Sequence, residues 1–136
     1  MRYEQESVEL LRAAYRKAGE MGHSYVGSIH LLLVLLASRG NAGRILRGTG
    51  LEAQVLQDMA LMLHGKGFAR LPLPQGLSSD AKQVLRGAAK EVQLRKETGI
   101  HPMHMLLSLI RRDKTEAGEL LRLSGIDTNE LCTRTV

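Results

Sequence analysis

His30 and His104 stand in matching contexts, Val26-Gly-Ser-Ile-His30-Leu-Leu-Leu33 and Ile100-His-Pro-Met-His104-Met-Leu-Leu107. A repeated imidazole invites two chemistries, a metal site or a paired active site. His101, three residues before His104, could add a ligand only if both lay on one helix face. Pro102 marks a helix start between them and argues against that. No cysteine or acidic partner is placed to complete a tetrahedral set. Both histidines instead precede apolar runs, where an imidazole is expected to hold a helix start by hydrogen bonds. Cys132, the single cysteine, has no His or Asn constellation around it and is expected to be an inert or weakly exposed thiol. His64-Gly-Lys-Gly67 is a fragment of glycines around one lysine, not a phosphate-cradling loop. The residues therefore predict no catalytic group, no cofactor and no metal.

The elements that carry these histidines also repeat. The same offset pairs Leu10 with Val84, Leu11 with Leu85, Ala14 with Ala88 and Leu32 with Leu106. After one inserted residue, Gly43-Arg-Ile-Leu46 pairs with Gly118-Glu-Leu-Leu121, and Gly50-Leu51 with Gly125-Ile126. A repeat of this length governs the fold. In the first copy a helix is expected from about Glu4 to Met21, with Val8, Leu11, Tyr15 and Ala18 on one stripe and Leu10, Ala14 and Met21 beside it. Ser28 is expected to cap the next helix, Leu31 to Leu36, which is apolar nearly all round and should be buried. A short helix follows through Ile45-Leu46. A fourth runs from Leu51 to Leu63, with Val55, Met59, Met62 and Leu63 expected to face inward.

Glycines and prolines between His64 and Gly76 predict a connector, with Leu71 and Leu73 extended against the core. In the second copy Ser78 or Ser79 caps a helix carrying Ala81, Val84, Leu85, Ala88 and Val92. Pro102 opens the next, Thr115 starts a short one, and Asp127 with Glu130 opens the last. That last helix stops at Val136, short of its counterpart, as in a naturally clipped chain or a fragment. The fold class expected is all-α: eight helices as two tandem four-helix repeats with pseudo-twofold symmetry. One domain spans 1–136, with repeat one at about 3–63, a linker at about 64–77 and repeat two at about 78–136. Leu32 and Leu106 should lie near the shared centre.

Composition narrows the class. The chain is 43% apolar with only 3% aromatic residues, so aliphatic helices rather than a disordered chain are expected. No run of about 18 apolar residues is present to span a membrane. The opening Met1-Arg2-Tyr3-Glu4-Gln5-Glu6 is too acidic for a signal peptide, and the lone cysteine fits a reducing compartment. A cytoplasmic location is expected. The net charge of +5 suits an acidic partner, nucleic acid or simple solubility. No acidic residue occurs from Met21 through Leu51, where Arg39, Arg44 and Arg47 do. Tyr3, Tyr15, Tyr25 and Phe68 form no clustered stacking platform in the sequence, which argues against a nucleic-acid partner.

Gly22-His23-Ser24-Tyr25-Val26-Gly27-Ser28-Ile29-His30-Leu-Leu-Leu resembles the G-H-x-Y-[IV]-G-T-E-H-[LI]-L-L pattern of the N-terminal domain of Clp ATPases of the ClpC, ClpA and ClpB type. The tandem layout is also similar, and the resemblance covers nearly the whole chain. It implies an all-helical module that receives adaptor and substrate proteins for a Clp-type unfoldase or protease in protein quality control. The ATPase ring would be supplied in cis or in trans. A free-standing Clp adaptor or competitor, or a basic helical nucleic-acid-binding protein, are the alternatives.

Where this chain departs from the family pattern it names its candidate partner-binding residues. In ClpC-type members an acidic residue in each copy helps receive phosphorylated arginine. Ile29 and Met103 stand at those positions and cannot pair with a guanidinium; they could instead form exposed apolar spots or sit partly tucked into the core. The family threonine near the start of each copy corresponds to Glu4, which would repel phosphate, and Ser78, which could still donate. The family's acidic loop, R-E-G-E-G, is replaced by the stretch carrying Arg39, with Arg44 and Arg47 following.

Overall fold

Serine, threonine, aspartate and proline at the helix starts, and aliphatic residues between them, make an all-helical chain. The computed structural model describes residues 2–66 and 74–135. Among these residues eight α-helices form: α1 Gln5–Glu20, α2 Ser28–Ala37, α3 Asn41–Arg47, α4 Ala53–His64, α5 Ser79–Leu94, α6 Pro102–Arg111, α7 Glu116–Leu123 and α8 Thr128–Thr135. Ser78 caps α5 by accepting the Ala81 N–H, and Thr115 caps α7 by accepting that of Gly118. Asp127 Oδ1 accepts from Asn129 N and Glu130 N at the start of α8. Pro102 is the first residue of α6, where its missing N–H costs nothing. The readings for Leu71 and Leu73 lie outside the described residues.

The central elements are α2 and α6. Residues Ser28 through Leu36 of α2 are all buried, and α2 packs against α1, α3, α4, α5, α6 and α7. A helix with no polar face has no side to offer solvent, so every neighbour closes around it. Leu32 and Leu106 are both fully buried, as their place in the repeat predicts.

Two parallel bridges tie the halves together, Tyr3 with Ile100 and Val26 with Leu77. Glu4 N donates to Ile100 O and Ile100 N to Arg2 O; Ser78 N donates to Val26 O and Val26 N to Gly76 O. The offset that pairs His30 with His104 also maps one bridge onto the other. Each half therefore starts its first helix beside the other half's buried helix, an exchange consistent with two tandem copies about a pseudo-twofold axis. The C-terminal ends of α2 and α6 match as well. Arg47 Nη1 donates to Leu36 O and Ser38 O at 2.7 and 2.6 Å, and Arg122 Nη1 donates to Asp113 O.

Three local expectations are corrected. On α1 the fully buried line is Ser7, Ala14 and Ala18, while Val8, Leu11 and Tyr15 are only partly buried; small side chains allow the close approach to α2. On α4 the inward residues are Leu56 and Ala60, whereas Val55, Met62 and Leu63 are exposed and Met59 is partly buried. That helix is apolar round much of its circumference, so its period alone does not choose a face, and packing against α2 and α7 does. Ser28 does not cap α2 but is its first residue, and its hydroxyl serves α7 instead.

Candidate partner-binding clefts at two helix starts

Each buried helix begins with an imidazole that accepts a backbone N–H three residues back. His30 Nδ1 accepts from Gly27 N, and His104 Nδ1 from His101 N, both at 2.8 Å. The expected structural role of both histidines is what this geometry performs. An accepting Nδ1 leaves the proton on Nε2. His30 Nε2 faces His23 Nδ1 at 2.8 Å, and His104 Nε2 faces Glu97 Oε2 at 3.3 Å. His23 and Glu97 occupy equivalent places in the repeat. Burial, then the nearby His23, pushes the His30 imidazole down to about 4.

The surroundings of the two starts differ. At α2, the Asp80 carboxylate accepts from Ser28 N at 3.2 Å, Ser28 Oγ at 2.6 Å, Ser78 Oγ at 2.5 Å and Glu116 N at 3.2 Å. Ser28 Oγ in turn accepts from Ala117 N at 3.0 Å. The N-termini of α2 and α7 thus converge on one internal anion, which their dipoles favour. Burial pushes the Asp80 carboxyl up, but the hydrogen bonds from Ser28, Ser78 and Glu116 outweigh it and hold the group below the usual carboxylate range. His64 Nδ1 bonds Glu116 Oε2 at 2.8 Å and flanks the same corner.

Removing that anion has a measurable consequence. Asp80→Ala is expected to cost roughly 2 kcal/mol, because charge-assisted bonds to two helix starts are lost together. The folded pKa of Asp80 is depressed, so its contribution is present above the ordinary value of 3.8 and fades as pH falls through the lower folded value. Urea melts of wild type and variant should therefore differ at pH 7 and converge in strong acid. Equal midpoints at pH 7 would remove Asp80 as the organiser of this corner.

At α6 the corresponding parts are missing. Pro102 stands where α2 has Ser28 and brings neither an N–H nor a hydroxyl. Glu6, at the place of Asp80, is exposed, and its carboxylate makes no hydrogen bond among the described residues. The start of α6 therefore opens into a cleft of about 820 Å³. Leu10, Met103 and Leu107 contribute apolar surface to its lining, and Glu6, Glu9 and Arg39 contribute charge.

The structure places the sequence candidates in different roles. Met103 and Arg39 line the open cleft together. Glu4 is the residue before α1; its carboxylate pairs with Arg2 at 2.9 Å and lies against Gly99 near the α6 start. Ser78 caps α5 and bonds Asp80. Ile29 is only 2% exposed, so it forms no exposed apolar spot; the sealed α2 start turns it into the core. Arg44 is exposed. Arg47 is engaged with the α2 carbonyls described above. Sequence reasoning missed Asp80, Glu6, His23 and Glu97. Their signal lay in the repeat itself, which pairs the two acids Asp80 and Glu6 and pairs His23 with Glu97.

No single helix among the described residues is long and apolar enough to cross a membrane. The family model described as the Clp repeat (R) N-terminal domain matches residues 2–124. Chaperone protein ClpC1 of the rice chloroplast is 27% identical over 147 residues, covering 99% of this chain and 15% of that protein. The ClpA homolog of the ATP-dependent Clp protease from Cyanidium caldarium is 27% identical over 142 residues, covering 96% and 15%. The chain thus spans about 15% of the length of these curated relatives. Among solved structures, the N-terminal domain of ClpD from Arabidopsis thaliana superposes with a TM-score of 0.80 at 20% identity, covering 98% of this chain and 92% of that one. The Hsp104 N-terminal domain from Candida albicans gives 0.79 at 18% identity, covering 99% and 89%. These two likenesses show the shared all-helical fold.

Proposed function

The chain belongs to the Clp repeat N-terminal domain family, and on that premise we propose that it recruits adaptor or substrate proteins to a Clp-type unfoldase or protease in cytoplasmic protein quality control. The family domain is a non-catalytic interaction module, and these 136 residues hold no ATPase domain. The motor lies further along the same polypeptide or on another chain.

The observation that carries this reading is the open cleft at the α6 start. Apolar side chains beside Glu6 and Arg39, whose charged groups have no partner among the described residues, suit a protein segment that offers an apolar anchor with polar flanks. The α2 start contributes no second cleft of this kind, because Asp80 occupies it. Phosphorylated arginine is not the ligand of that start: Ile29 is buried, and a phosphate would meet the Asp80 carboxylate.

A pull-down from cytosol on the immobilised domain tests the reading. Recovery of Clp components or adaptors is expected. Joint replacement Arg39→Glu with Met103→Glu is expected to reduce recovery at least about tenfold, the effect of losing an anchor worth roughly 1.4 kcal/mol or more. Arg44→Glu, away from the cleft, should leave recovery unchanged. Recovery of neither class of protein at high loading, or equal recovery by the cleft variant, would overturn it.

A further inference from the structure

Every proton is assigned along one line at the α2 start. Gly27 N–H donates to His30 Nδ1, so the His30 proton sits on Nε2. His23 Nδ1 lies 2.8 Å from that Nε2 and must accept from it. The His23 proton therefore sits on its own Nε2, which donates to Gly65 O at 2.8 Å. The line runs from the backbone before α2, through two imidazoles, to the residue that ends α4.

This arrangement holds only while both rings are neutral. A second proton on His30 would aim Nδ1–H at the Gly27 N–H. One on His23 would aim Nδ1–H at the His30 Nε2–H. Neither opposed pair can hydrogen-bond.

The charged groups around the rings come from four helices. Lys17 of α1 is occupied by Gln57 Oε1 at 3.1 Å and Glu20 at 3.6 Å. His64 of α4 is paired with Glu116 of α7. Asp80 of α5 is engaged by Ser28, Ser78 and the Glu116 N–H. His30 is 2% exposed, so water cannot readily replace a lost partner.

We propose that the His23–His30 relay is a proton-operated latch, which ties the end of α4, where the chain leaves the first four helices, to the start of α2 and releases it on acidification. It stands apart from the recruitment reading, since it concerns the chain's own closure and needs no partner. The second half has no such line, because there the outer imidazole nitrogen meets the Glu97 carboxylate instead of a second ring. That half serves as an internal control.

The 136-residue chain itself is the sample. Long-range proton–nitrogen spectra near pH 7.5 are expected to show His23 and His30 both protonated on Nε2 only. Hydrogen exchange at the Gly65 amide, which closes the last turn of α4 onto Leu61 O, reads the latch. Burial and the neighbouring His23 hold the closed His30 ring at about 4, so an opening that rehydrates it is expected to be several-fold more frequent at pH 5 than at pH 7, after correction for the intrinsic rate. The Leu109 amide of α6 reports global unfolding and should not follow.

His23→Phe cuts the line at a partly exposed position and is expected to leave Gly65 unprotected already at pH 7. His23→Gln, with its carbonyl accepting from His30 and its amide donating to Gly65, is expected to restore protection at pH 7. Nδ1 protonation of either ring, Gly65 exchange that does not change between pH 7 and pH 5, or full Gly65 protection in His23→Phe would each overturn the latch.

Discussion

Leu32→Ala is expected to destabilise the folded chain by roughly 2–5 kcal/mol, the cost of removing a fully buried leucine and leaving a cavity. Leu32 is completely buried, as are Leu31, Leu35 and Leu36 on the same helix. The α2 helix meets six other helices, so no single neighbour can move in without losing its own packing elsewhere. The site should therefore relax little, which favours the upper part of the range. Leu106, its counterpart on α6, should behave alike. A urea melt with a lowered midpoint and unchanged slope is the expected result. Met62→Ala on α4 is the control: that side chain is 85% exposed, and its loss should fall within about 0.5 kcal/mol. Similar midpoints for Leu32→Ala and Met62→Ala would mean that the packing around α2 is not what stabilises the domain.

Gly43→Ala and Gly118→Ala should each cost about 3 kcal/mol, through overpacking rather than loss. A Cβ on Gly118 would lie 2.6 Å from Arg112 O and 2.7 Å from Asp113 Cα. One on Gly43 would run into the Ser38 carbonyl oxygen and come within 2.8 Å of Arg47 Nη1. These obstacles are largely backbone, and the Ser38 oxygen is itself held by Arg47, so α3 would have to lift away from the end of α2. Gly40 gives the contrast: a Cβ there would meet no heavy atom within 4 Å, and its φ is an ordinary −79°. Gly40→Ala should be nearly neutral in the same melts. Equal losses at Gly40 and Gly43 would show that the close approach is not the reason for glycine there.

The same two glycines show how much the chain reveals before folding. Their pairing is legible, because each lies in the first turn of the short helix that follows a buried one. The cap at Ser78, the proline at the start of α6 and the cap at Thr115 are legible for a similar reason. A cap acts within about three residues, so its signal is local. The capping histidines belong with them, since His30 and His104 each bond a backbone N–H three residues back. Even the outer partners, His23 and Glu97, sit seven residues before their imidazoles and at matching places.

The face of α4 is not legible. Val55, Met59, Met62 and Leu63 make as good a stripe as Leu56 and Ala60, and a mostly apolar helix offers no polar side to settle the choice. Nor is the seal at the α2 start. Asp80 reaches Ser28 across 52 positions and Glu116 across 36, distances at which sequence spacing carries no geometric information. The burial of Ile29 is not legible for the same reason: nothing local shows that Ser28, Asp80 and α7 close over its turn.

By itself, then, the sequence determined the helices, the caps at Ser78 and Thr115, the repeat and the two buried helices at the centre, because each follows from spacings of a few residues or from the duplication. Only the tertiary structure decided that the two equivalent helix starts differ. One brings Ser28, Asp80 and the α7 N-terminus together and fills itself with an internal carboxylate. The other meets Pro102, which has no proton to give, and stays open. Hydrogen bonds and desolvation act between groups that meet in space, and that meeting is set by how the two halves pack.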